Sequence, residues 1–192
     1  MIRSSLLPLA AAFALAACRV NPKQLELTPL VEAARTGDTA LMLNLLRDGA
    51  DPNAPAGING WPTLMHAIHK GRLQSMRVLL EHGASPNGHS PDGFSALMMA
   101  AGYGDTPAVQ LLLAAGADPR AKSQSGETAL QAAVGGTSDL DNFTIGRCQT
   151  ETVRALLARA PDLRLRPRRG DRLAMLTARL AGCREVVRMV SR

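Results

Sequence analysis

Aromatic residues are scarce in this chain: one Trp, one Tyr and three Phe among 192 residues. A β-sandwich or barrel draws heavily on aromatic and β-branched side chains, so the shortage speaks against a core built on sheets. Lysine is nearly missing too, confined to Lys23, Lys70 and Lys122, which leaves arginine to carry the basic charge. Most of that bias reads as the mark of a GC-rich genome rather than selection for bidentate anion binding. The apolar run Leu6 to Ala17 falls short of the roughly 20 residues a helix needs to cross a bilayer. No GxSxG, HExxH, phosphate-loop or EF-hand pattern occurs, so the spacings that mark those chemistries are missing. The histidines are scattered, and the i, i+3 pair His66 and His69 has no third ligand in view. Neither catalysis, a metal nor a cofactor is expected.

What is present is Ala and Leu with regular Gly punctuation, the pattern of helices joined by tight turns. The fold class is therefore all-α. Apolar residues make up 46% of the chain and charged residues 20%, as in ordinary soluble domains. The net charge of +6 is placed unevenly. From Arg159 to Arg192 ten Arg face three acids (Asp162, Asp171, Glu185), while from Cys18 to Ala158 eleven Lys and Arg face thirteen acids.

Met1-Ile2-Arg3 puts a positive charge ahead of Leu6 to Ala17, which suits a signal peptide over residues 1–17. The run ends in Leu15-Ala16-Ala17-Cys18, which resembles the lipobox of bacterial lipoproteins. That resemblance implies lipidation at Cys18, and several acyl chains anchor a protein durably. Arg19 stands where an Asp would imply retention in the inner membrane, so the expected place is the outer membrane, facing the periplasm. Residues 18–26 form a short polar tether.

Beyond the tether a segment repeats. Thr28-Pro29-Leu30, Pro62-Thr63-Leu64, Ser95-Ala96-Leu97 and Thr128-Ala129-Leu130 put a shared Leu at steps of 34, 33 and 33 residues. Each of the first three units continues into paired Leu, then Gly49, Gly83 or Gly116, then a Pro turn at Pro52, Pro86 or Pro119. Such self-similarity signals a stacked array in which no unit buries its own face. Thr28, Ser95 and Thr128 are N-cap types, whereas the reversed Pro62-Thr63 order leaves the cap of the second unit in question. A fifth unit is recognisable in Met175 to Gly182, displaced by an insert near Ser138 to Cys148. The pattern resembles the ankyrin repeat over nearly all the chain after Leu27. It implies a solenoid of about five repeats, near 27–58, 59–91, 92–124, 125–166 and 167–192, the last a cap.

The resemblance also implies recognition through turn tips and exposed inner-helix residues. Carried over position by position, repeat 2 offers Ile58, Asn59, Trp61, His69 and Lys70, and repeat 3 offers Pro91, Asp92, Phe94 and Tyr103. Repeat 4 offers Gln124, Ser125 and Glu127, and the cap offers Arg169 and Arg172. Outside the signal segment the aromatics are Trp61, Phe94, Tyr103 and Phe143, and three of them fall on these positions. Large rings anchor hot spots, and a Leu/Ala core does not need them there, although Trp61 and Phe94 could instead pack under the turns.

The 138–148 insert is either a second binding surface or a tolerated insertion. The Arg-rich end is either a solvated cap or a contact for anionic partners. In an oxidising compartment the remaining pair, Cys148 and Cys183, is expected to form a disulfide, since both fall at neighbouring places in a stacked array. The functional expectation is a membrane-anchored protein-binding module, a scaffold or adaptor for an envelope protein. The alternatives are an immunity or inhibitor protein acting on a toxic effector or hydrolase in the periplasm, and a structural protein that binds the envelope through its Arg-rich end. No nucleic acid or small-molecule substrate is expected.

Overall fold

The computed structural model describes residues 27–57, 59–136, 147–165 and 169–191. Residues 1–26, Cys18 among them, Ile58 and most of the insert, Phe143 included, lie outside them.

The first unit shows how the repeat sequence makes its helices. Thr28 turns its hydroxyl to accept the Val31 N–H at 3.3 Å, Pro29 opens helix α1 (Pro29–Thr36), and Gly37 closes it at φ +88°. Only glycine takes that left-handed geometry without a steric penalty. Asp38 then caps α2 (Thr39–Arg47), accepting the Leu41 N–H at 3.0 Å. A short antiparallel finger follows, strand β1 (Pro55–Ala56) pairing Pro55 with Pro62 and Ala56 with Trp61 on β2 (Trp61–Pro62). The second unit is α3 (Thr63–His69) and α4 (Leu73–Glu81). Its reversed dipeptide has a visible effect: Pro62 sits at the cap with no side-chain hydrogen bond, and Thr63 is buried inside the helix.

The third unit is α5 (Ala96–Tyr103) and α6 (Thr106–Ala114), capped by Ser95 and Asp105. The fourth is α7 (Ala129–Gly135) and α8 (Thr150–Arg159). Thr128 caps α7 reciprocally, accepting from the Gln131 N–H while its own N–H donates to Gln131 Oε1 at 2.7 Å. The last unit is α9 (Arg169–Leu180) and α10 (Arg184–Val190). In α9 the sequence departs from the repeat in its effect. The helix begins at Arg169, so Arg169 and Arg172 are helical residues, where the equivalent positions of earlier units lie on fingers.

Helices α1, α3, α5, α7 and α9 stack as one layer, α2, α4, α6, α8 and α10 as the other, each touching its neighbours along the array. Between the layers lie the repeat leucines Leu30, Leu64, Leu97 and Leu130, none more than 2% exposed. This is the all-α solenoid of stacked helix pairs that the resemblance implied.

Polar groups tie consecutive units on the turn side. Asn53 accepts the Ser85 N–H at 2.7 Å and donates to the Gly83 carbonyl at 3.0 Å; Asn87 repeats both bonds with Asp118 and Gly116, at 2.8 and 3.4 Å. At the next equivalent position Arg120 pairs instead with the Asp162 carboxylate. That pair is exposed on both sides and contributes little. Cys148 and Cys183 are joined in a disulfide, their Cα atoms 5.2 Å apart, tying the start of α10 to the chain that leads into α8.

His66 supports the first finger. Its Nε2 lies 3.1 Å from the Ala56 carbonyl, and since a carbonyl only accepts, that nitrogen carries the proton. Burial lowers its pKa below the usual histidine value of 6.5; the Ala56 bond opposes this, and the charges of Arg35 and His69 add to it.

Three outcomes are expected. Cys148→Ser/Cys183→Ser, which opens a loop with a separation of 35 residues, should lower unfolding free energy by about 3–4 kcal/mol. Urea titration reads this, and an unchanged midpoint would mean the bridge contributes nothing. Asn87→Ala should cost about 1–2 kcal/mol in the same titration by removing two hydrogen bonds between units. For His66 the folded pKa lies below the unfolded one, so its contribution is complete above pH 6.5. It is lost as pH falls, because the unfolded chain then binds the extra proton. Melting temperature should therefore drop more between about pH 7 and pH 5 in the wild type than in His66→Gln.

Candidate functional site

Three fingers project in series from the stack, and glycines let them lie close. Gly60, Gly93 and Gly126 hold φ of +61°, +79° and +80° at equivalent places. A Cβ on Gly60 would come within 3.0 Å of the Pro91 ring, and one on Gly93 within 3.3 Å of the Gln124 nitrogen. The second and third fingers are also bonded to each other: Gln124 donates its backbone N–H to the Asp92 carbonyl and its side-chain amide to the Pro91 carbonyl, both at 2.9 Å. Each finger is closed internally, Ser90 N–H to Phe94 carbonyl and Ser123 N–H to Glu127 carbonyl, both at 3.0 Å.

Between the first finger and helices α3 and α5 four rings gather. The Trp61 ring centroid is 5.5 Å from that of His66 and 5.6 Å from that of His69. His69 continues the series, its Nδ1 lying 2.9 Å from the Tyr103 hydroxyl. Trp61, His69 and Tyr103 are all half-buried, so one edge of this cluster meets solvent across two adjacent repeats. Lys70, half-buried, follows directly. Trp61, Tyr103 and Phe94 all pack against the core as well, so the rings support the fingers while leaving part of their area open. Phe94 joins no ring pair among the described residues, which separates it from the position-equivalent Trp61.

The remaining expected residues form an acidic continuation. Asn59, Asp92, Gln124 and Ser125 are exposed and Glu127 is half-buried. The Ser90 hydroxyl donates to Asp92 and holds its carboxyl below the usual range. Burial pushes the Glu127 carboxyl up, and the Asp92 carboxylate pushes it further. Such a group gains most from a cation brought by a partner. Ser125 is held by the buried Ser123, their hydroxyl oxygens 2.8 Å apart.

Beside Glu127 an open hollow of about 730 Å³ runs between α7 and α9, lined by Gln131, Gly135, Gly136, Leu173 and Thr177 among others. Gln131 reaches over it to Asp171 at 2.6 Å, bridging the fourth and fifth units. None of these residues stood out in sequence, because a lone Gln within a repeat and one apolar residue of a basic run carry no mark of a surface hollow. Arg172 faces another hollow at the end of the stack, away from this one. Ile58 and the side chain of Arg169 lie outside the described residues. Among the described residues no group of three or more His, Cys, Asp or Glu gathers as metal ligands would. The surface offers rings, carbonyls and carboxylates to another molecule's side chains.

Comparison with known proteins agrees with this architecture. Models of ankyrin repeats match residues 8–90 and 79–133. The 2-5A-dependent ribonuclease of Mus musculus is 38% identical over 64 residues, 33% of this chain and 9% of that protein. Ankyrin repeat and SAM domain-containing protein 6 of Rattus norvegicus is 38% identical over 69 residues, 36% of this chain and 8% of its own. A putative ankyrin repeat-containing protein of Treponema pallidum is 39% identical over 67 residues, 35% of this chain and 22% of that protein. The chain thus spans less than a tenth of the first two relatives. What is shared is the repeat itself, a module for protein–protein interaction rather than catalysis. With two repeat models matching in overlap and the helix pairs stacked at the same period, the chain is shown to carry ankyrin repeats.

Proposed function

We propose that this protein is an exported, lipid-anchored module of the bacterial envelope that binds another protein across its finger and inner-helix face, as a scaffold or adaptor, and catalyses nothing. The observation that carries the binding reading is the half-open ring series Trp61, His69 and Tyr103, which spans two repeats. A Leu/Ala core of this kind has no need of rings at those positions, and partly buried aromatics fixed by neighbours lose little entropy on binding.

The chemistry of the face narrows the partner. Rings stand at one end, and the carboxylates Asp92 and Glu127 stand farther along. The matching segment is apolar at one end and cationic at the other. Placement in the envelope rests on different grounds: the charged, then apolar N-terminus ending at Cys18, which is expected to carry the lipid. The Cys148–Cys183 bridge supports an oxidising compartment, where such bonds persist. The outer membrane, periplasmic side, is the proposed location.

Capture from a detergent extract of the envelope, with the full chain as bait, tests the face directly. A specific partner held by wild type should fall at least about tenfold in Trp61→Ala and in Tyr103→Ala, the effect of removing one hot-spot ring. Gln110→Ala, on the outer surface of α6, should change nothing. Equal capture by all variants with matching thermal melts would remove the ring series from the binding face. For the anchor, Cys18→Ser should move the protein from the membrane fraction to the soluble periplasmic fraction, and unchanged membrane retention would refute lipidation there.

A further inference from the structure

The C-terminal end of the stack carries a surface that the ring and finger face does not use. On α9, Arg172, Leu176, Arg179 and Leu180 recur at helical spacing, and on α10 Arg184, Val187 and Arg188 do the same. Two shallow hollows of about 480 and 550 Å³ open here, and they share Arg179 and Ser191. Leu176 is 51% exposed and Leu180 is 80% exposed. Apart from Leu173, on the same helix, no large apolar side chain among the described residues is as open as these.

Charge and hydrogen bonding decide what suits such a face. The four arginines have no carboxylate partner among the described residues: Glu185 is held by Arg154 at 2.8 Å, and Asp171 is buried and accepts from Gln131. The nearby hydroxyls are occupied too, Ser191 donating to the Val187 carbonyl at 2.6 Å and Thr177 to the Ala174 carbonyl at 2.8 Å. What remains is guanidinium charge over projecting aliphatic carbon. A folded protein partner must set an acceptor against each guanidinium in fixed geometry and fill a shaped cleft, and these hollows are shallow. A bilayer surface requires neither. Guanidinium forks match phosphate oxygens, arginine stems lie along apolar surface, and leucines enter the boundary between headgroups and acyl chains.

We propose that this end face docks on the surface of an anionic phospholipid bilayer. The arginines meet the headgroup phosphates, while Leu176 and Leu180 reach below them. The face lies on the last unit and the ring series on the second and third, so one surface leaves the other open.

Vesicle flotation of the full chain tests this, with phosphatidylcholine alone against phosphatidylcholine containing phosphatidylglycerol. The variants are Arg179→Gln/Arg188→Gln, Arg172→Gln/Arg184→Gln and Leu176→Ser/Leu180→Ser, all at exposed positions. Every variant keeps the apolar run Leu6–Ala17, so differences between them read the end face alone. Wild type should float markedly better with the anionic vesicles and lose that excess in high salt. Each arginine pair should reduce partitioning by roughly 10- to 30-fold. The leucine pair should lower it several-fold while thermal melts stay unchanged. Equal flotation of wild type and both arginine variants would overturn the proposal. So would full flotation of the leucine variant combined with salt-labile capture on immobilised polyglutamate, which would assign the face to an acidic polypeptide.

Discussion

Every helix pair in this protein is too short and too one-sided to bury its own apolar face, and everything else follows from that constraint. Inner helices of seven or eight residues, such as α3 and α5, form lasting structure only when a neighbour covers the stripe that carries Leu64 or Leu97. Burial is therefore a property of the interface between units. It explains why alanine fills the inner helices, where a larger side chain would hold the layers apart. It also explains why the conserved physical work of each unit falls on caps and turns: with so few residues per helix, each unpaired N–H at a terminus is a large share of the total.

The polar ladder on the turn side follows from the same geometry. Asn53 and Asn87 each bond forward to the next unit, so register is set by hydrogen bonds while area is supplied by leucine. Where the pattern lapses, from the third unit onward, the chain substitutes other links. Arg120 pairs with Asp162, Gln131 reaches Asp171, and Cys148 is bonded to Cys183. An exposed ion pair is a weak replacement for a buried interface, and a covalent link does not depend on packing area at all. The bridge thus stands where the array is least regular.

The period, the caps and the core leucines could be read directly from the residues because each depends on neighbours within one unit or on a step of about 33 residues. Thr28, Ser95 and Thr128 act as caps for reasons contained in four residues each, and the reversed Pro62-Thr63 pair loses its cap for the same local reason. The equivalence of Trp61 and Phe94 was legible as position but not as environment. Trp61 meets His66 and His69 on its own following helix, whereas the equivalent positions after Phe94 are Met99 and Gly102, which present no ring to it. The start of α9 at Arg169 was unmarked in sequence, because no Ser or Thr of the kind that caps α1, α5 and α7 stands before Gly170 and Asp171. Contacts across units, such as Gln124 to Asp92 or Gly60 against Pro91, depend on how closely fingers stack, and no single unit contains that information.

The uneven charge of the chain acquires a spatial meaning in the fold. A linear array separates in space what is separated in sequence, so Arg172, Arg179, Arg184 and Arg188 on the last unit stand away from the acids Asp92 and Glu127 of the earlier units. In a globule of the same composition the two would mix, and the net field would be weak beyond about 10 Å at ordinary salt. Here the carboxylates Asp92 and Glu127 share the finger face with the rings, while Arg179, Arg184 and Arg188 collect at the far end. A stack therefore allows two surfaces of opposite character on one small domain. Each can take its own ligand because the repeat spacing, rather than a shared cavity, holds them apart.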